Sequence, residues 1–303
     1  MLNTRTSSEK VKIDFITYLK SFFNLMKPRV MSLVIFTCVV GLLIAPAKVN
    51  YLDSIFSILA VALGSGAAGA LNMWYESDLD SLMSRTCLRP IPTGKLTRKQ
   101  AFIFGVSTSI ISVFALYFFS NLVSALVLLT TILFYVFVYT IWLKRKTAQN
   151  IVVGGAAGAL PPIIGWTIAT NAISLEPIIL FLIIFIWTPS HFWALSLYKT
   201  DDYRKAKIPM LPVTSGIKKT KLNIFIYALI LFPVALSPYF LNFSGLIYLM
   251  PSTIMSAYYI IISYQLLKEK NSFLEKKLAT KLFAYSILYL FMIFVFILID
   301  KII

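Results

Sequence analysis

Cysteine is nearly absent. Cys38 falls in an apolar run and Cys87 in a basic loop, so neither a disulfide nor a thiolate metal site is expected. Charge is scarce too: Asp, Glu, Lys and Arg make up 13% of 303 residues, and histidine occurs once, at position 191. That is too little to clothe a soluble domain in which 59% of residues are hydrophobic, 15% are aromatic and mean hydropathy is +0.83. The first 28 residues contain Glu9 and Asp14 and lack an apolar core with a small-residue cleavage site, so they do not read as a signal peptide. The chain is expected to be an all-α, polytopic membrane protein.

Apolar windows long enough to cross a bilayer lie at roughly residues 30–47, 53–73, 101–119, 122–143, 151–169, 177–198, 222–240, 244–267 and 281–300. About nine transmembrane helices around a central cavity are expected. The window 151–169 is rich in Gly, Ala and Pro (GGAAGALPPIIGW), which suits close packing or a broken helix inside the bundle. Residues 1–28 read as a cytoplasmic lead, with an amphipathic interfacial helix through IDFITYLKSFFNLM, and 29–303 as a single transmembrane domain. Basic residues fall in alternate loops, and of the 28 only Lys48 and Lys301 lie on the other side. Retention of Lys and Arg on the cytoplasmic face puts the N-terminus inside and the C-terminus outside, and the lack of a presequence favours a bacterial plasma (inner) membrane over an organelle. The net charge of +16 then needs no nucleic-acid partner, since topology and attraction to anionic lipid or substrate account for it.

Of the 12 acidic residues, five gather at one membrane face. Glu76, Asp78 and Asp80 end the second span, and Asp201 and Asp202 end the sixth. If the second helix runs on, Asn72, Glu76 and Asp80 share one face, because i, i+4 and i+8 advance by only about 40° per step. Such a stripe is mutually repulsive, and it suits a hard divalent cation that itself carries a phosphate. Asp78 points elsewhere, either into the site or on a solvated rim. On the same wheel His191, Tyr198 and Asp202 share a stripe flanked by Asp201, with His191 about 10 Å deeper in the membrane than Tyr198. An intramembrane histidine faces the bundle interior or a cavity, as a porphyrin contact or in a hydrogen bond to a neighbouring helix. A secondary transporter of this size would need a coupling-ion site near the midplane, where His191 stands alone.

The blocks KPRVMSLVIFT, NMWYESDLDSLMSRTCLRPIPTGK, YTIWLKRKTAQNIVVGGAAGALPPIIGW and WTPSHFWALSLYKTDDYRKAKIPMLPV carry a resemblance over nearly the whole chain. The chain resembles the UbiA superfamily of intramembrane prenyltransferases, and the last two blocks are similar to its heme-modifying branch. The family motif N-x-x-x-D-x-x-x-D falls on Asn72, Glu76 and Asp80, with Glu for the first Asp. The second acidic motif falls on Tyr198 and Asp202, with Tyr for Asp. The loop R-T-K-N-R-P reads Arg85, Thr86, Cys87, Leu88, Arg89 and Pro90, so both arginines remain and the Lys-Asn pair does not.

The resemblance implies Mg²⁺ as cofactor, held by Glu76, Asp80 and Asp202 with Asp201 as a candidate helper. It implies diphosphate binding by Arg85, Arg89, Lys95 and Lys144, and a heme pocket with His191, Tyr198 and Trp193. Farnesyl diphosphate and heme B are the implied substrates and the lipid bilayer the surroundings. A heme A synthase or an oxidase-assembly protein is a candidate partner. The allylic cation would be sheltered by an aromatic face drawn from Trp74, Tyr75, Tyr139, Trp142, Phe192 and Trp193. The rival reading within the family is a sister enzyme acting on an aromatic or quinone precursor.

Overall fold

A computed structural model describes residues 14–303. Arg5, Glu9, Lys10 and Lys12 of the N-terminal lead lie outside the described residues. Helix α1 (Phe15–Leu25) starts at Asp14, whose side chain accepts a bond from Thr17 N, and ends at Met26. Lys27 then adopts a left-handed conformation (φ 55°), and α2 (Pro28–Leu43) leaves at 50° to α1, opened by a proline at its first position, where no amide donor is needed.

The remaining long helices are α3 (Tyr51–Tyr75), α5 (Arg98–Phe119), α6 (Leu122–Leu133), α9 (Leu175–Tyr198), α12 (Gly216–Phe240), α13 (Leu246–Lys268) and α14 (Ser272–Ile302). Asn50, Asn121 and Asn271 cap α3, α6 and α14, and Thr97 with Gln100 forms a reciprocal capping box on α5. Helix α6 continues as a π-helix over Phe134–Leu143. The window at 151–169 is two helices, α7 (Asn150–Ala159) and α8 (Pro161–Thr170). The break follows from the sequence, since Pro161 and Pro162 supply no amide hydrogens to the preceding turn. Short helices α4 (Ser77–Leu82), α10 (Thr200–Lys205) and α11 (Leu211–Thr214) sit in the loops after α3 and α9. Among the described residues eight spans are long and apolar enough to cross a membrane, and the bent pair α1–α2 makes a ninth.

Two apolar cores meet along α2 and α8. One joins α9, α12, α13 and α14; the other joins α2, α3, α5, α6 and α8. The α7–α8 span is the central strut, with 72% of its apolar window buried against 22% for α5. Small residues allow its close approach to α2: a Cβ at Gly165 would stand 1.8 Å from the Cys38 carbonyl oxygen, and one at Gly41 2.3 Å from that of Pro162. A third cluster, including Met83, Tyr203, Ile208 and Met210, packs the loop after α3 against the α10–α11 segment. This brings the two acidic segments to the same end of the bundle.

Candidate active site

Asn72, Glu76 and Asp80 are all buried. The regular helix ends at Tyr75, and Glu76 sits at the joint with φ −95° and ψ 11°, but Glu76 N still bonds Asn72 O and Asp80 N bonds Glu76 O. The stripe therefore survives the break. Each acceptor on it meets a cation from a different part of the chain. Lys27 Nζ donates to Asn72 Oδ1 at 2.5 Å, Lys144 Nζ to Glu76 Oε2 at 2.5 Å, and Arg89 Nη1 to both Asp80 oxygens at 2.7 Å. Asn72 Nδ2 in turn donates to Thr140 Oγ1 at 3.1 Å, fixing its orientation.

One acceptor is left over. Glu76 Oε1 is buried and has no hydrogen-bond partner among the described residues, although such an atom in apolar surroundings is costly. A hard, anionic oxygen without a donor, beside Asp80 and the Asn72 amide, fits the chemistry of a divalent cation.

The second acidic segment is arranged differently from the sequence expectation. Helix α9 stops at Tyr198, Lys199 is non-helical (φ −114°, ψ 20°), and α10 starts afresh. The His191–Tyr198–Asp202 stripe, drawn for one continuous helix, is thus broken. Asp202 accepts from Ser84 Oγ at 2.6 Å, which ties it to the loop after α3. Asp201 is exposed and pairs with Arg204 at 2.9 Å. Among the described residues no three His, Cys, Asp or Glu side chains converge as a metal-binding group, so Asp201 and Asp202 are not gathered with Glu76 and Asp80 here. Asp78 makes a bidentate pair with Arg145 at 3.0 and 2.8 Å, and that guanidinium lies over the Tyr75 ring. Partial burial opposes ionisation of Asp78, but the hydrogen bonds from Arg145 hold its carboxyl below the usual range.

Next to this polar end lies an apolar cavity of about 920 Å³, walled chiefly by α2, α7, α9 and α14, with residues of α3 and the π-helix also lining it. Its wall includes Lys27 and Arg85 but none of the three acceptors. Lys27 therefore belongs to both the polar cluster and the cavity. Of the other expected diphosphate ligands, Arg89 and Lys144 face carboxylates and Lys95 is exposed in its loop, off the cavity wall. His191 is on the wall, whereas Trp193 and Tyr198 are not. Trp193 lies two residues on, about 200° around the helix, with its ring edge-on to Tyr227 of α12 at 5.3 Å. Tyr198 abuts Phe283. Of the six aromatic residues considered for sheltering a cation, only Tyr139 and Phe192 line the cavity. Trp74 packs on Phe102, and Trp142 faces outward.

Residues 34–295 match the family described as the UbiA prenyltransferase family. The chain belongs to that family. It is 62% identical over 302 residues to "Protoheme IX farnesyltransferase" of Pelagibacter ubique, covering 100% of both chains. It is 49% identical over 282 residues to the protein of the same name from Parvibaculum lavamentivorans, covering 93% of this chain and 89% of the relative. A solved digeranylgeranylglyceryl phosphate synthase shares the fold with a TM-score of 0.78 at 19% identity, over 94% of this chain and 99% of that one. A UbiA homolog from Archaeoglobus fulgidus, solved with DMAPP and Mg²⁺, superposes with a TM-score of 0.64 at 13% identity, over 89% and 99% of the two chains.

Within this UbiA-type site, sequence reasoning missed Lys27 and Tyr135. Lys27 belongs to the quoted KPRV block, and its signal was a lysine set directly before the proline that opens the first span. Tyr135 lies one turn from Tyr139, with ring centroids 5.3 Å apart, on the same cavity wall. Gly154 makes room for that pair, since a Cβ there would come within 2.1 Å of the Tyr139 ring.

Proposed function

We propose that the chain transfers the farnesyl group of farnesyl diphosphate to a vinyl group of heme B, giving heme O. Lys27 carries the geometric side of this conclusion. It stands on the wall of an apolar cavity while bonding Asn72 of the acidic stripe, so the charged and greasy ends of one substrate have adjoining places. The cavity is of the size that takes ligands, and the relatives' shared name supplies donor and acceptor.

Glu76 and Asp80 are the residues that would hold Mg²⁺, with Asp202 supplied by the segment that Ser84 ties to the same loop. When bound, the ion neutralises charge on the departing diphosphate. Lys27 and Arg85, with Lys144 and Arg89 once released from their carboxylates, would hold the diphosphate where negative charge develops as the C1–O bond breaks. The bonding pair leaves with the diphosphate. The vinyl π pair then forms the new bond to C1, and water adds to the resulting cation and loses a proton, leaving a hydroxyethylfarnesyl substituent. Tyr135 and Tyr139, both on the cavity wall, are the aromatic side chains that would shelter the allylic cation, and the apolar wall keeps water away until the carbon bond has formed.

The setting we infer is a bacterial plasma membrane, with the basic loops and the diphosphate end facing the cytoplasm, the C-terminus outside, and residues 29–303 acting as one catalytic unit. A heme-A-forming enzyme or an oxidase-assembly protein is the class of partner that would take the product. The acceptor is tested by giving the solubilised chain farnesyl diphosphate and Mg²⁺ with heme B in one arm and an aromatic acid in another. Farnesylated heme in the first arm alone is the expected outcome; a farnesylated aromatic acid alone would reassign the acceptor.

A further inference from the structure

His191 of α9 is 8% exposed, and what remains open lies on the cavity wall. Its imidazole is sandwiched between Trp187, one turn earlier, at 4.2 Å and 18° between planes, and Phe283 of α14 at 4.7 Å and 22°. Nδ1 lies 2.6 Å from Ser286 Oγ. A hydroxyl has a single proton, and Ser286 Oγ donates its proton to the Phe283 carbonyl at 2.6 Å. Toward His191 that oxygen therefore accepts, and Nδ1 carries the ring proton. The lone pair is left on Nε2. Ser286 is itself anchored, because its carbonyl accepts from Trp187 Nε1 at 2.8 Å. One residue of α14 thus fixes both members of the Trp187–His191 turn.

With two faces covered and the Nδ1 edge tied, the edge left to the cavity is that of Nε2, which has no hydrogen-bond partner among the described residues. An imidazole whose other nitrogen donates to a fixed oxygen is how proteins orient a metal-binding histidine. A single nitrogen in an apolar wall does not suit a free ion, which needs several ligands. It suits a metal already held in the plane of a macrocycle and lacking an axial ligand.

We propose that His191 Nε2 is the axial ligand of the iron in the porphyrin substrate, and that Ser286 is the positioning residue that aims it. The assignment rests on the function proposed above. Ligation sets the macrocycle plane across the Fe–N bond and fixes its depth, about 10 Å below the Tyr198 end of α9. The vinyl edge is then held at one level relative to the diphosphate end.

The test uses the full-length chain in nanodiscs, titrated with ferric heme B, zinc protoporphyrin and metal-free protoporphyrin. Wild type is expected to give the absorption and electron paramagnetic resonance signature of imidazole-ligated heme. His191→Ala should lose that signature and bind heme about tenfold more weakly or worse, bind metal-free protoporphyrin as wild type does, and recover the signature with added imidazole. Ser286→Ala should weaken heme and zinc protoporphyrin binding by about tenfold and leave the metal-free ring unaffected, while Ser286→Thr keeps the wild-type spectrum. Heme bound without a nitrogen ligand, an unchanged spectrum in His191→Ala, or equal loss of all three porphyrins in Ser286→Ala would overturn the assignment and leave the transferase function standing. Failure of wild type to bind any porphyrin would instead remove the heme acceptor itself, and this ligand with it.

Discussion

Glu76 is the residue on which the site turns, with one carboxylate oxygen bonded to Lys144 and the other buried without a donor. Truncating it, or Asp80, to alanine would confuse function with folding, because the cation opposite would lose its acceptor as well as its counter-charge, at about 3–5 kcal/mol, whereas an amide keeps an acceptor oxygen in place. Shape-preserving changes separate the two. Glu76→Gln and Asp80→Asn are expected to lower turnover by at least roughly 10²-fold, the scale seen when one group stabilising developing charge is removed. Thermal unfolding in detergent, run on the same samples, should show the variants still folded. Lys27→Met keeps the length of the side chain and removes its charge from the cavity wall; it is expected to raise the KM for farnesyl diphosphate about tenfold or more. An unchanged KM would take Lys27 out of diphosphate binding.

At the scale of the element, helix existence was legible and helix ending was not. Apolar windows reported the spans because burial in lipid demands them, and the proline pair at 161–162 announced the break in the central strut. Nothing in the apolar pattern marked the joints at Glu76 and Lys199, where the chain turns without glycine or proline, nor the π-helix before Lys144. The stripe through Tyr198 was expected to be continuous for that reason, and the structure ends the helix there. The pairing of cations with acceptors was equally hidden, since Lys27 and Lys144 lie 45 and 68 residues from Asn72 and Glu76 in the chain. Close helix packing yields its own prediction. A Cβ at Gly165 would meet a backbone oxygen of α2, whereas one at Gly158 would meet nothing within 4 Å. Gly165→Ala should therefore destabilise the fold by about 1–3 kcal/mol, and Gly158→Ala should stay within about 0.5 kcal/mol of wild type. Denaturation of the two variants in the same detergent compares them directly.

For the whole molecule, scarcity of charge made the membrane class readable, and the orientation inferred from it rests on the directional weight that each lysine or arginine near a span end carries. The inferred orientation puts Cys87 on the cytoplasmic side. A membrane-impermeant maleimide should accordingly label Cys87, in a Cys38→Ser background, in inverted vesicles and not in intact cells; labelling from the outside alone would reverse the topology. One metal-dependent transfer would join the acidic stripe, the apolar cavity and the porphyrin. The most direct measurement is heme O formation from heme B and farnesyl diphosphate by the solubilised chain, followed by mass spectrometry as Mg²⁺ is removed with EDTA and then restored. Product that disappears with the metal and returns with it is the predicted result. Undiminished product in EDTA, or none with Mg²⁺ and folded protein, would contradict it.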